Sequence, residues 1–195
     1  MTEVRTRRSA AETREQVLAV TADLFYWQGI RATGIDKVAA AAGVAPTTLY
    51  RLFASKDDLV RAYLERAEEG YLEWLEEAAG AAGAPADRVV GVFEALLRVT
   101  DPADFRGCPF LMALAEFPDP AHPAHVQAMR TKATVRARLR RLVDELAVPD
   151  PDQLADQLSL VMEGIYAAVP AHGDRGPAGQ APAVARALIA AQARP

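Results

Sequence analysis

The sequence predicts an all-α protein of about nine helices, and three observations carry the prediction. Period-two alternation of β-branched residues persists nowhere in the 195 residues. Apolar residues recur instead at helical spacing, and serine or threonine caps, glycines and prolines fall where helices would begin and end. A composition that is 51% hydrophobic suffices for one sizeable core or two small domains.

The first helix opens at Thr13, where Gln16 completes capping-box spacing, or earlier at Ser9 with Glu12; Val17, Leu18, Thr21, Leu24 and Phe25 form its buried stripe, and Gly29 ends it. Thr33 with Asp36 marks a second helix over about 34–42. Gly43 supplies the positive φ of a tight turn, and Pro46 suits the first position of a third helix over about 46–53. Ile35, Val38, Ala39, Val44, Leu49 and Phe53 fall where these two short helices would cross, which is a helix-turn-helix pattern. Ser55 with Asp58 opens a long fourth helix to about Ala79, with Val60, Tyr63, Leu64, Ala67, Tyr71, Leu75 and Ala78 as its apolar stripe. Further helices follow at about 86–99, 108–117, 122–147, 151–169 and 181–193, separated by turns rich in Pro, Gly and Asp.

Charge divides the chain. Residues 1–56 hold eight Lys or Arg against five Asp or Glu, a net +3, whereas the remainder holds fourteen against twenty-one, a net −7. Any contact with a polyanion is therefore expected at the front. Neither a signal peptide nor an apolar run long enough to span a membrane is visible, and the single cysteine, Cys108, excludes an internal disulfide, so a cytoplasmic location is expected.

The third helix is crowded with hydrogen-bonding side chains. With Leu49 and Phe53 facing inward, Thr47, Thr48, Tyr50 and Arg51 lie near its exposed side. The major groove of DNA accepts such a helix: Arg51 can donate to guanine N7 and O6, the threonines can touch base edges or a thymine methyl, and Tyr50 can reach a phosphate. Lys56, in the first turn of the next helix, and Thr33 with Lys37 on the other side are the expected phosphate contacts.

The segment GIRATGIDKVAAAAGVAPTTLYRLFASKDDLVRAYLER resembles the helix-turn-helix signature of the tetracycline-repressor (TetR) type of bacterial transcriptional regulator. Thr33, Val38-Ala39, Ala42-Gly43-Val44, Thr48-Leu49-Tyr50, Phe53 and Lys56-Asp57-Asp58-Leu59 stand in register over roughly residues 13–65. RGCPFLMALAEFPDPAHPAH also looks like a stretch of one subset of these regulators. Pro46 and Arg51-Leu52 depart from the commoner residues, which bears on the operator read and leaves the fold untouched. The resemblance implies a flexible basic arm (1–12, with Arg5, Arg7 and Arg8), a DNA-binding domain (13–56) and an effector-binding and dimerisation domain (57–195). It further implies a homodimer on a palindromic double-stranded operator, released by a small-molecule effector, with no cofactor.

Within that frame Phe93, Leu96, Leu97, Phe110, Leu111, Met129 and Met162 are candidate pocket residues, with Glu163 and Tyr166 as polar anchors. Their apolar bias favours a lipophilic or aromatic effector. Leu154, Leu158, Val161 and Ile165 on the eighth helix and Val184, Leu188 and Ile189 on the ninth are expected at the dimer interface, although the same residues would serve a protomer core. Glu116, Asp119, His122 and His125 form a candidate metal cluster, with a solvated turn as the plainer reading, and Cys108 at a helix start is either a thiol sensor or inert core. The rival functions are a thiol-dependent enzyme and an all-helical interaction protein. No strand precedes Cys108 to present a reactive thiol, and no GxSxG, GxxxxGK[ST], GxGxxG or HExxH motif is present.

Overall fold

The computed structural model describes residues 9–80, 83–173 and 176–192. Among these are nine α-helices and no strand: α1 (Ala10–Gln28), α2 (Ile35–Ala41), α3 (Pro46–Leu52), α4 (Lys56–Ala79), α5 (Pro85–Val99), α6 (Pro109–Glu116), α7 (Pro123–Asp144), α8 (Pro151–His172) and α9 (Ala181–Gln192). A 3₁₀ turn, Pro177–Gln180, leads into α9.

Five helices, α3 and α5 through α8, begin on a proline. The ring presets a helical φ at a position whose N–H has no intrahelical partner, so start signals are written into the chain without long-range help. Of the two competing starts for α1, Ser9 prevails. Its hydroxyl accepts from the Glu12 amide at 3.1 Å while the Glu12 carboxylate accepts from the Ser9 amide at 2.7 Å. Thr13, the other expected cap, instead donates its hydroxyl to the Ser9 carbonyl. Gly29, at φ 90°, closes α1 in a backbone region that side chains disfavour.

Helices α1, α2 and α3 pack on one another, and Gly43 at φ 65° makes the turn between the last two. Val17, Phe25, Val38 and Leu49 lie at 0–1% exposure beneath them. The 24-residue α4, roughly 36 Å long at 1.5 Å per residue, is the spine: Ser55 caps it, its early turns touch α1, and it then runs against α5, α6 and α7. Tyr63 of α4 meets Phe25 of α1 edge-to-face at 5.5 Å. α8 and α9 complete the bundle, α8 against α7 and α9 against α5 and α8. α8 passes the expected end near residue 169 because Pro170 sits in its last turn, where the missing N–H costs one terminal bond rather than a break in mid-helix.

Candidate nucleic-acid interface and interior cavity

α3 presents the polar row read from the sequence. Thr47, Tyr50 and Arg51 are exposed and Thr48 is half-buried, while Leu49 and Phe53 behind them are buried. Tyr50, at 52% exposure, is a large aromatic side chain left facing solvent. Pro46 starts the helix, and Arg51 occupies its last turn with no acidic partner among the described residues. Lys56, half-buried at the start of α4, donates to the Arg31 carbonyl at 3.1 Å. Lys37 is exposed on α2 and hydrogen-bonds the Gln28 side chain.

Thr33 departs from expectation. Gly34 occupies the cap position of α2, with no side-chain cap. The Thr33 hydroxyl turns inward to the Gly29 carbonyl at 2.8 Å and the residue is 1% exposed, so its side chain is not available to a phosphate. A hydroxyl one turn beyond a helix end had a nearby carbonyl to satisfy, and burial favoured that bond.

The first three helices are tied to the rest of the chain by hydrogen bonds as well as by α4. Glu116, the last residue of α6, accepts from the Ile30 amide at 2.9 Å and the Arg31 amide at 2.7 Å. The Tyr26 hydroxyl accepts from the Arg106 and Gly107 amides at 2.7 and 3.2 Å, and the Arg106 guanidinium donates to the Tyr26 carbonyl at 2.6 Å.

A cavity of about 190 Å³ lies between α4, α5, α6 and α8, walled chiefly by Tyr71, Trp74, Phe105, Phe110, Tyr166 and Cys108. Of the expected pocket residues it contains Leu96, Phe110 and Tyr166. Phe93 and Met162 are core at 0–1% exposure, Leu97 packs against the core, and Leu111 and Met129 point outward at 36% and 52%. Glu163 pairs with Lys132 of α7, whose ammonium also stands 5.3 Å from the centre of the Tyr166 ring. The Tyr71 and Tyr166 hydroxyls hydrogen-bond one another, and Tyr71 also donates to the Met162 sulfur at 3.1 Å. Burial, above all other causes, pushes both phenols and the Cys108 thiol up, so all three are neutral at physiological pH. A second hollow, beneath Arg88, Arg138 and Arg141, is charged, but Glu145 and Glu76 pair with those guanidiniums.

Sequence reasoning missed Tyr71 and Trp74 as cavity walls, although Tyr71 was visible in the α4 stripe and Trp74 follows it at i+3. The metal cluster does not form: Glu116 is spent on two amides, His122 Nδ1 accepts from the Ala124 amide, and His125 Nδ1 contacts the Phe117 carbonyl. Among the described residues no three acidic, histidine or cysteine side chains gather as ligands. Leu154, Leu158 and Ile165, expected at a dimer surface, are 0–1% exposed inside the protomer. Val161, Leu188 and Ile189 are half-buried and Val184 is 42% exposed. Arg5, Arg7 and Arg8 lie outside the described residues. No described helix is long and apolar enough to cross a membrane.

Known proteins share this arrangement. The family described as bacterial regulatory proteins, tetR family, matches residues 17–63, and the tetracyclin repressor-like C-terminal domain matches residues 85–185. The HTH-type transcriptional regulator YjdC of Escherichia coli K12 is 28% identical over 156 residues, covering 77% of this chain and 80% of its own. The crystal structure of SCO4454, a TetR-family transcriptional regulator from Streptomyces coelicolor, superposes with a TM-score of 0.82 at 30% identity over 93% of this chain and 94% of its own. The TetR-type regulator sav143 from Streptomyces avermitilis gives 0.81 at 32% identity over 92% and 97%. With both halves matched, and with an exposed polar helix ahead of a helical bundle, the chain belongs to the TetR family of bacterial transcriptional regulators and is a DNA-binding protein rather than an enzyme.

Proposed function

We propose that the protein is a homodimeric repressor that reads a palindromic operator through α3 and leaves it when a small aromatic effector occupies the cavity. The observation that carries the reading is the α3 face: Thr47, Tyr50 and Arg51 exposed together over a fully buried Leu49. Arg51 reads guanine, Thr47 and Thr48 touch base edges, and Pro46 sets the helix start against the groove. Tyr50, Lys37 and Lys56 hold phosphates, and they fix the register in which Arg51 reads. In this reading residues 13–56 are the reader, residues 57–195 bind effector and partner, and the basic arm before residue 13 adds phosphate contacts.

The partner surface is the outer side of α8 and α9, where Val161, Val184, Leu188 and Ile189 leave apolar surface uncovered beside Leu160, at 72% exposure. Cavity size and lining narrow the effector. An engineered apolar cavity of about 150 Å³ takes benzene, so about 190 Å³ suits one or two fused rings. Five aromatic walls favour a planar π-system. With Lys132 and Glu163 paired, no unmatched charge among the described residues around the cavity calls for an ionic ligand. With the Tyr71 proton on the Met162 sulfur and the Tyr166 proton on Tyr71, the hydroxyl pair offers an acceptor oxygen to one ligand hydroxyl.

Selection of bound duplexes from a random DNA library tests the reading. Enrichment of a palindrome, with sedimentation of the free protein as a dimer, is the expected result. A monomer at micromolar concentration, or no enriched duplex, would overturn it.

A further inference from the structure

α6 has eight residues and is about 12 Å long at 1.5 Å per residue. Its two ends do different things. Pro109 and Phe110, with Cys108 just before them, form a wall of the cavity. Glu116 at the other end reaches 86 residues back in sequence and accepts both the Ile30 and Arg31 amides. Those amides belong to the turn between α1 and α2, which follows Gly29 at φ 90° and so leaves helical backbone pairing at that point. The next link is equally direct: the Arg31 carbonyl accepts the Lys56 ammonium at 3.1 Å. One carboxylate thus holds the peptide next to the one whose carbonyl accepts the lysine assigned to a phosphate. The loop before α6 repeats the arrangement, since the Arg106 and Gly107 amides grip the Tyr26 hydroxyl near the end of α1.

We infer that Glu116 is a positioning residue of the DNA reader, which couples the cavity wall through α6 to the Arg31 turn and thence to Lys56. A rigid rod a dozen ångströms long cannot shift at its cavity end without moving the carboxylate at its other end. Two short bonds from one carboxylate to adjacent amides tolerate little displacement. The part of Lys56 rests on the proposed function; the coupling of cavity to turn does not.

Amide hydrogen exchange in the DNA-free protein tests that coupling. Each hydrogen bond to a charged group is worth roughly tenfold in local opening. Glu116→Gln, which replaces one acceptor oxygen by a donor, is expected to speed exchange at Ile30 and Arg31 about tenfold, and Glu116→Ala more, with the amides of α8 unchanged. Unaltered exchange at the turn, or acceleration spread evenly over the molecule, would overturn the assignment. Ala67→Phe, which projects a ring into the cavity, tests the rod. It should accelerate the same two amides alone, and add nothing once Glu116 is alanine. No effect of Ala67→Phe at the turn, or full additivity, would refute the coupling. On the selected duplex, Glu116→Gln should weaken binding several-fold. Should no duplex be enriched, the operator reading fails while the exchange data still judge Glu116.

Discussion

Replacing Arg51 by alanine isolates base reading from everything else in the molecule. The side chain is exposed in the last turn of α3 and engages no acidic partner among the described residues, so its removal leaves no buried group unpaired. Global stability should therefore stay within about 0.5 kcal/mol of the parent. A bidentate arginine–guanine contact is worth about 1–3 kcal/mol, and a two-fold operator contains it twice, so binding should weaken by about 2–6 kcal/mol, at least roughly 30-fold. Lys56→Ala supplies the contrast. Losing one phosphate contact per protomer should weaken operator and random DNA alike, and should flatten the slope of log K against log salt by about 0.9 per protomer, or about 1.8 per dimer. Fluorescence anisotropy with a selected duplex, a scrambled duplex and a salt series reads both quantities. Equal losses for Arg51→Ala on the two duplexes, or an unchanged salt slope for Lys56→Ala, would refute the division of labour between the two residues.

Three further outcomes follow from burial. Leu49→Ala removes a side chain at 0% exposure from beneath the reading face and should cost about 2–5 kcal/mol in urea unfolding, with loss of DNA binding. Lys132→Ala strands the Glu163 carboxylate, one oxygen of which is buried without a hydrogen-bond partner; with the side chains 15% and 32% exposed, about 2–3 kcal/mol is expected. Lys132→Met with Glu163→Leu should recover most of that loss. Alkaline pH should destabilise the protein in two stages. Cys108, Tyr63, Tyr71 and Tyr166 all hold their protons more tightly folded than unfolded, burial being the largest cause. Stability is thus full below the ordinary thiol range near about 8.5 and falls above it, by up to about 1.4 kcal/mol per pH unit per group, steepening past about 10 as the tyrosines join. A urea midpoint that rises or stays flat over that interval would contradict this.

The reader was legible because its signals are local. Gly43, Pro46 and the Ser55–Asp58 pair act within a few residues of where they stand, and each sits in the structure as its spacing implied. Where two local signals competed, burial chose. Thr33 with Asp36 has capping spacing, yet the threonine was drawn into the Gly29 carbonyl and away from solvent. The cavity was only partly legible, because its walls come from four helices and no period in one helix reveals which apolar residue lines a hole and which fills the core. Phe93 and Leu96 are near neighbours on α5; one is core and the other a wall. Leu111 and Met129 show the opposite error, since apolar character does not compel burial. α8 is apolar on more than one side, so Leu154, Leu158 and Ile165 could not be told from a partner surface until their neighbours α7 and α9 were in place.

The position of the cavity constrains how an effector can act. A ligand shifts an equilibrium only by its differential affinity for the two states, and moving a population from 99:1 to 1:99 requires about 10⁴-fold. A site walled by one helix would have to find that difference in a few contacts. Here Tyr71 and Trp74 belong to α4, whose first turn carries Lys56, while Pro109 and Phe110 belong to α6, whose last residue holds the Arg31 turn. The two helices converge at the Arg31 turn, because Lys56 donates to the carbonyl of the residue whose amide donates to Glu116. A ring wedged between them changes the relative position of both ends of that junction. On the proposed function it would gain its differential affinity from two walls while it disturbs the Arg31 turn, and α3 is the element that this turn and α4 would jointly place against DNA.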